Sequence, residues 1–253
     1  DSVSTVHYMS MEYLEGRTIR DIVSEKGHLS SEETVRYILP IAEALAYMHD
    51  KKKFHRDIKS SNIIITNTGR PVLMDFGIAL SEGSDPLSHD GAILGTPEYM
   101  SPEQAKGDRG IDGRSDIYSL GMIMYECLTG QLPFQAENYF ATLNRVVNDI
   151  LPTVTYVNPQ VPKWLSSIVS GCLIKDREER IQTGRILIRA LSNRKKPGLP
   201  PQKPKNDPET KVFKTDKPFT HKHEESKKTS DTPKSSRSLL FGVGSAVIIT
   251  LFI

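Results

Sequence analysis

An α+β domain, mostly helical with a small β element, is predicted for residues 1–191 of this 253-residue sequence. Three observations predict it. Apolar residues recur at helical spacing in several segments, two short β-branched runs bracket Asn67-Thr68-Gly69, and the composition changes abruptly near residue 192. Beyond that change the expectation is a disordered linker and then a terminal apolar helix.

Val6 to Tyr13 mixes β-branched and aromatic residues and reads as a short strand. Ser30 with Glu33 three places on forms a capping box, after which Val35, Ile38, Leu39, Ala42, Leu45 and Ala46 follow a 3.6-residue period. Pro40 falls inside that helix and is expected to bend it. Ile63 to Ile65 and Val72 to Met74 flank Asn67-Thr68-Gly69 as a hairpin. Asp116 to Leu128 is apolar nearly all round, and a helix without a polar face belongs inside a domain. Further helices are expected around Tyr139 to Val147, Trp164 to Cys172 and Thr183 to Leu191.

Charge is distributed unevenly. The 33 Lys+Arg and 31 Asp+Glu nearly cancel, so no overall basic excess points to nucleic acid. Residues 1–191 hold 20 basic against 25 acidic side chains, whereas residues 192–238 hold 13 against 6. The latter stretch carries seven prolines and few large apolar residues, so it cannot bury enough surface to offset its ordering entropy. Cys127 and Cys172 lie in apolar contexts and make no disulfide framework, as in a reduced intracellular domain. No secretory signal opens the sequence. His7, His28, His49 and His89 lack metal-site spacing, and His221-Lys222-His223 lies in the linker.

The chemistry-bearing residues come in a fixed order. His55-Arg56-Asp57-Ile58-Lys59-Ser60-Ser61-Asn62 is followed, thirteen residues after Asn62, by Asp75-Phe76-Gly77. Then come Gly95-Thr96-Pro97-Glu98-Tyr99-Met100-Ser101-Pro102-Glu103, Asp116-Ile117-Tyr118-Ser119-Leu120-Gly121, and Arg180. Together these resemble the catalytic loop, metal-binding tripeptide, activation-segment end and buried central helix of eukaryotic-type serine/threonine protein kinases, with Arg180 where that family places the arginine that pairs with Glu103. The wording is most like the bacterial members.

The resemblance implies a protein-kinase-like fold, with residues 1–191 forming the hinge and the mostly helical C-terminal lobe. It also implies ATP and Mg²⁺ as cofactors and Ser/Thr hydroxyls of proteins as acceptors. Phosphoryl transfer passes through a loose, charge-rich transition state, so the protein mainly positions groups and neutralises charge. On that basis Asp57 accepts the hydroxyl proton, Lys59 places a charge beside the transferred group, and Asn62 and Asp75 hold magnesium with hard oxygen ligands. Arg56 pairs with a phosphate on the activation segment, where Ser88 is the modifiable position and Asp90 either mimics a second phosphate or is an incidental loop residue. Thr96 bonds near Asp57. Met11-Glu12-Tyr13-Leu14 resembles the hinge: Met11 is the gatekeeper, the backbone of Glu12 and Leu14 bonds adenine, and Ile64 forms the apolar floor. The same segment also reads as a core strand running into a turn.

No glycine-rich loop and no V-A-I-K-like lysine segment occurs in the sequence. The expectation is a chain lacking most of the N-terminal lobe and, by itself, negligibly active. Leu239 to Ile253 contains no charge and is expected to begin a transmembrane helix, incomplete at about 22 Å against a hydrocarbon core of roughly 30 Å. Lys227, Lys228, Lys234 and Arg237 on its amino side place the kinase body at the cytoplasmic face of the cell membrane in a single-pass arrangement. The implied partners are protein substrates, membrane lipid, and a second copy for trans-autophosphorylation, with no nucleic acid. A membrane-tethered pseudokinase or scaffold is the alternative.

Overall fold

The computed structural model describes residues 12–75 and 96–194. The chain divides into two units, Asp1–Pro204 and Lys205–Ile253, and the described residues all lie in the first. Met11, Phe76-Gly77, Ser88, Asp90, the linker and the terminal apolar segment fall outside the described residues, as does most of the strand expected over Val6 to Tyr13. Of that run only Glu12 and Tyr13 are described; neither belongs to a strand, and Tyr13 is 74% exposed.

The first described strand, which the sequence did not announce, is β1 (Gly16–Thr18), and it runs directly into helix α1 (Ile19–Lys26). Thr18 ends one element and starts the next. Its hydroxyl accepts from the Asp21 backbone N–H, and the Asp21 carboxylate accepts from the Thr18 backbone N–H. This T-x-x-D box was the available signal. Helix α2 (Ser31–Asp50) carries the expected Ser30/Glu33 box and runs unbroken through Pro40. It buries Ile38, Ile41, Ala42, Leu45 and Ala46 along one face.

The expected hairpin is β2 (Ile63–Thr66) and β3 (Pro71–Leu73), antiparallel with Ile63 opposite Leu73 and Ile65 opposite Pro71. Strand β1 pairs on the other edge of β2, giving a three-stranded sheet in the order β1-β2-β3. Side chains alternate faces along a strand, so Ile63 and Ile65 enter the core while Ile64 lies on the opposite, half-buried face.

After the one-turn helix α3 (Pro102–Ala105), helix α4 (Gly113–Thr129) runs through the middle of the domain. Every residue from Ser115 to Leu128 is buried. Against it pack α1, α2, α6 (Val154–Val157) and α7 (Lys163–Cys172), while α5 (Tyr139–Asn148) packs on α3 and the Pro97–Tyr99 turn, and α8 (Gly184–Asn193) on α2 and α7. Contact across α4 and α7 is close: a Cβ at Gly121 would lie 2.6 Å from Cys172 Cβ and 3.0 Å from Leu173 Cδ2. Gly121→Ala should therefore cost about 1–3 kcal/mol through overpacking, measured by urea unfolding. Cys127 and Cys172 are free and buried, and burial pushes the Cys172 thiol up to about 12. Among the described residues, no helix is long and apolar enough to cross a membrane.

Candidate active site

A buried carboxylate sets the geometry of the loop between α2 and β2. Asp116, in the first turn of α4, is 1% exposed, and a charge that deep needs partners. Its Oδ2 accepts from the His55 backbone N–H at 2.9 Å and lies 2.8 Å from His49 Nε2, while Oδ1 accepts from the Arg56 N–H at 2.8 Å. Gly113 makes room for this, since a Cβ there would collide with the His49 ring at 2.6 Å.

Arg56 adopts a left-handed backbone, φ 65°, a conformation that costs a non-glycine residue about 1–3 kcal/mol. Both of its peptide groups are held. Asp116 takes its N–H, and Gln104 Nε2 donates to its carbonyl at 2.9 Å. His55 adds a tie to the β3 end: Nδ1 accepts weakly from the Asp57 N–H at 3.4 Å, which leaves Nε2 as donor to the Met74 carbonyl at 3.0 Å. Met74 N in turn donates to the Asn62 carbonyl at 2.8 Å.

On this frame Asp57, Lys59 and Asn62 converge. Lys59 Nζ donates to Asp57 Oδ2 at 2.9 Å, and Asn62 Nδ2 donates to the Asp57 carbonyl at 3.1 Å and approaches Oδ2 at 3.4 Å. Asp57 keeps 36% of its side chain exposed. Asp75 follows β3 with φ 52° and is exposed. Among the described residues, no cluster of three or more His, Cys, Asp or Glu could hold a metal alone. Asn62 and Asp75 supply hard oxygens suited to Mg²⁺, which is commonly held by one or two carboxylates together with substrate phosphates.

A second layer joins the loop to the segment after residue 95. The Tyr99 hydroxyl donates to Glu126 Oε2 at 2.7 Å, which leaves Ser60 Oγ to donate to the Tyr99 oxygen at 2.8 Å. Burial raises the pKa of both Tyr99 and Glu126. Ser119 Oγ donates to the Tyr99 carbonyl at 2.8 Å, fixing the turn to α4. Thr96 is half-buried just before that turn, and its carbonyl accepts from Tyr99 N.

Glu103 and Arg180 lock the base of this segment with paired contacts of 2.7 and 2.8 Å. Arg180 is fully buried and also donates to the carbonyls of Ile174, Arg114 and Lys175. Burial alone would raise the Glu103 pKa, but hydrogen bonds from Arg180 and Ser115 outweigh it and hold the carboxyl at about 2. A folded-state value below the unfolded one makes the contribution complete above about pH 4.5 and lost as pH falls toward about 2. Acid unfolding of the wild type should therefore show a loss of about 3 kcal/mol across that window, absent in Glu103→Gln.

The structure brings Arg56, Asp57, Lys59 and Asn62 together and places Asp75 at the end of β3. Ile64 lies on the noncore face of β2. Glu12 is exposed and Leu14 half-buried, and among the described residues no hydrogen bond engages the backbone of either. The sequence reading did not find His49, Ser60, Gln104 or Glu126 as parts of the frame, and it used Asp116 only to mark a helix start. Two carboxylates, Asp116 and Glu126, in a largely apolar helix were the available signal.

Comparison with known proteins agrees with this geometry. The protein kinase domain model matches residues 2–190. A probable serine/threonine-protein kinase of Clostridium perfringens is 36% identical over 191 residues, covering 76% of this chain and 28% of the relative. Serine/threonine-protein kinase PknB of Mycobacterium tuberculosis is 37% identical over 202 residues, covering 78% and 32%. PrkC of Bacillus subtilis is 35% identical over 178 residues, covering 70% and 27%. The chain thus spans about a third or less of the length of these curated relatives. With the protein kinase domain model matching residues 2–190 and relatives 35–37% identical, the chain belongs to the protein kinase family, and these relatives are bacterial serine/threonine kinases.

Proposed function

We propose that the protein transfers the γ-phosphoryl group of ATP to serine and threonine hydroxyls of proteins. The observation that carries this reading is the convergence of Asp57, Lys59 and Asn62 on a loop whose backbone is pinned by Asp116. Asp57 orients the acceptor hydroxyl and takes its proton on the partly exposed carboxylate. Lys59, already bonded to Asp57, offers a compact positive charge to the group in flight. Asn62 and Asp75 would hold Mg²⁺, which when bound neutralises charge building on the phosphate oxygens. Glu12 and Leu14 would offer backbone groups to adenine, with Met11 as the gatekeeper and Ile64 as the apolar floor. Arg56 Nε is buried with no hydrogen-bond partner among the described residues, which supports its pairing with a phosphorylated residue of the activation segment.

The reading includes attachment to the cell membrane through residues 239–253, with the kinase body on the cytoplasmic side. It also includes self-association for trans-autophosphorylation. The test is a phosphotransfer assay with Mg²⁺-ATP on the protein expressed from its complete reading frame, using Ser, Thr and Tyr versions of one peptide. Label on Ser and Thr but not Tyr is expected. No label on any of them, with the fold intact, would favour a scaffold that binds partners through its helical lobe.

A further inference from the structure

An exposed cationic face runs across the end of α2 and the outer side of α8. The polypeptide leaving α2 supplies Lys51, Lys52 and Lys53, all exposed. This sharp exit is closed by the Lys51, Lys52 and Lys53 amides donating back to the Met48 and His49 carbonyls. Helix α8 packs its Leu187, Ala190 and Leu191 inward and turns Arg185 and Arg189, one turn apart, outward. The helices approach closely, because a Cβ at Gly184 would lie 3.0 Å from Ala46 Cβ. Arg185 reaches Asp50 at 2.5 Å, so the two surfaces are continuous. Arg194 ends α8, and Lys195-Lys196 follow it in the sequence. On the exposed side of α2, Asp50, already paired, and Glu43 lie within about two turns of these cations, while exposed Glu32 sits in the first turn at the far end of the helix.

The surrounding charge makes this face unusual. Residues 1–191 carry more acid than base, so the body as a whole is repelled by an anionic surface while this one face is attracted. The face also holds an aromatic. Tyr47 is 67% exposed with Lys51 Nζ 5.9 Å from its ring centre, a pairing of apolar ring and long cation that suits the headgroup region of a bilayer.

We propose that the α2–α8 face docks on an anionic phospholipid surface and so fixes which way the catalytic body is turned at the membrane. Membrane attachment, proposed above, contributes the high local concentration that lets a modest patch act. The Lys/Pro/Ser-rich composition of residues 195–238, read as a random-coil tether of that length, gives a root-mean-square reach of roughly 35–40 Å.

The test uses the full chain with a single dye. Cys127 and Cys172 are buried, so an introduced surface cysteine takes the label selectively. Glu43→Cys lies one turn from Tyr47 on the proposed face. Gln160→Cys is exposed near Asn158, whose side chain bonds the Leu128 carbonyl about 18 Å along α4 from Asp116. Vesicles of phosphatidylcholine, with or without phosphatidylglycerol, carry a nitroxide lipid as quencher. Quenching of the dye at 43, but not at 160, is expected in the anionic vesicles only. It should be lost at about 0.5 M salt and in the double variant Lys51→Gln/Arg189→Gln, whose melting temperature stays at the parent value.

Equal quenching at the two positions, quenching that survives the double variant, or equal quenching in neutral vesicles would overturn the proposal. A dye at 43 that responds to polyglutamate or duplex DNA but not to vesicles would overturn the choice of lipid. Co-flotation of the same chain with both vesicle types reads attachment separately. A chain that floats but shows no difference between positions leaves the anchor standing without the face.

Discussion

Asp57→Asn should lower the rate of phosphotransfer by about a hundred- to ten-thousand-fold, the range expected when a positioned general base is lost. The substitution keeps the size of the side chain and its reach to Lys59 Nζ, now 2.9 Å from Oδ2. What it removes is the group able to take the acceptor proton, along with the charge that holds Lys59 in place. Because Asp57 is 36% exposed and its contact with Lys59 is partly solvated, stability should change by less than about 1 kcal/mol. Single-turnover assays of the protein from its complete reading frame separate the two effects. The chemical step should fall while the KM for ATP and the melting temperature hold. An unchanged rate would remove Asp57 from the chemistry.

Glu103→Ala should cost about 3 kcal/mol of folding free energy, at the lower end of the 3–5 kcal/mol typical when one partner of a buried ion pair is removed. Arg180 would be left fully buried and charged, but it would keep the carbonyls of Ile174, Arg114 and Lys175 as acceptors. Those three bonds are why the loss should not reach the top of the range. Ser115 Oγ, which donates to Glu103 Oε1 at 2.8 Å, would lose its partner as well. A partly exposed pair provides the contrast: Arg145→Ala, opposite Asp149 one helical turn away, should cost only about 0.5 kcal/mol for its charge interaction. Urea unfolding of both variants checks the difference.

The sequence was most legible where one local rule decided the outcome. The Ser30/Glu33 box and the period that follows it located α2, and the Asn67-Thr68-Gly69 turn located the β2–β3 hairpin. The unbroken apolar run after Asp116 announced a helix with no outer face. In each case the information lay within a few residues of the element itself. The missed elements β1 and α1 share Thr18 as a boundary, and a three-residue strand has too few positions for its alternation to stand out.

The site divides along the same line. Asp57, Lys59, Asn62 and Asp75 are close in sequence and fall in a recognisable order. Their support comes from far away: Asp116 is 60 residues from Arg56, Gln104 is 48, and Arg180 is 77 from Glu103. No single-sequence pattern records which backbone N–H a distant carboxylate will meet. The Glu103–Arg180 pairing was foreseen only through the resemblance to a family. His49, which stood out in the sequence only as lacking metal-site spacing, is part of the site because Gly113 leaves space for its ring.

The anchoring of His55 and Arg56 on Asp116 has a consequence for timescale. Loops ordinarily loosen in nanoseconds to microseconds, far faster than a domain opens. Here the two amide groups preceding Asp57 end on a carboxylate belonging to the most deeply packed helix, so releasing them means disturbing the interior. The reactive geometry thus inherits the lifetime of the core. At any temperature where α4 stays packed, Asp57 waits in position, and the slow variable left for control is what approaches it.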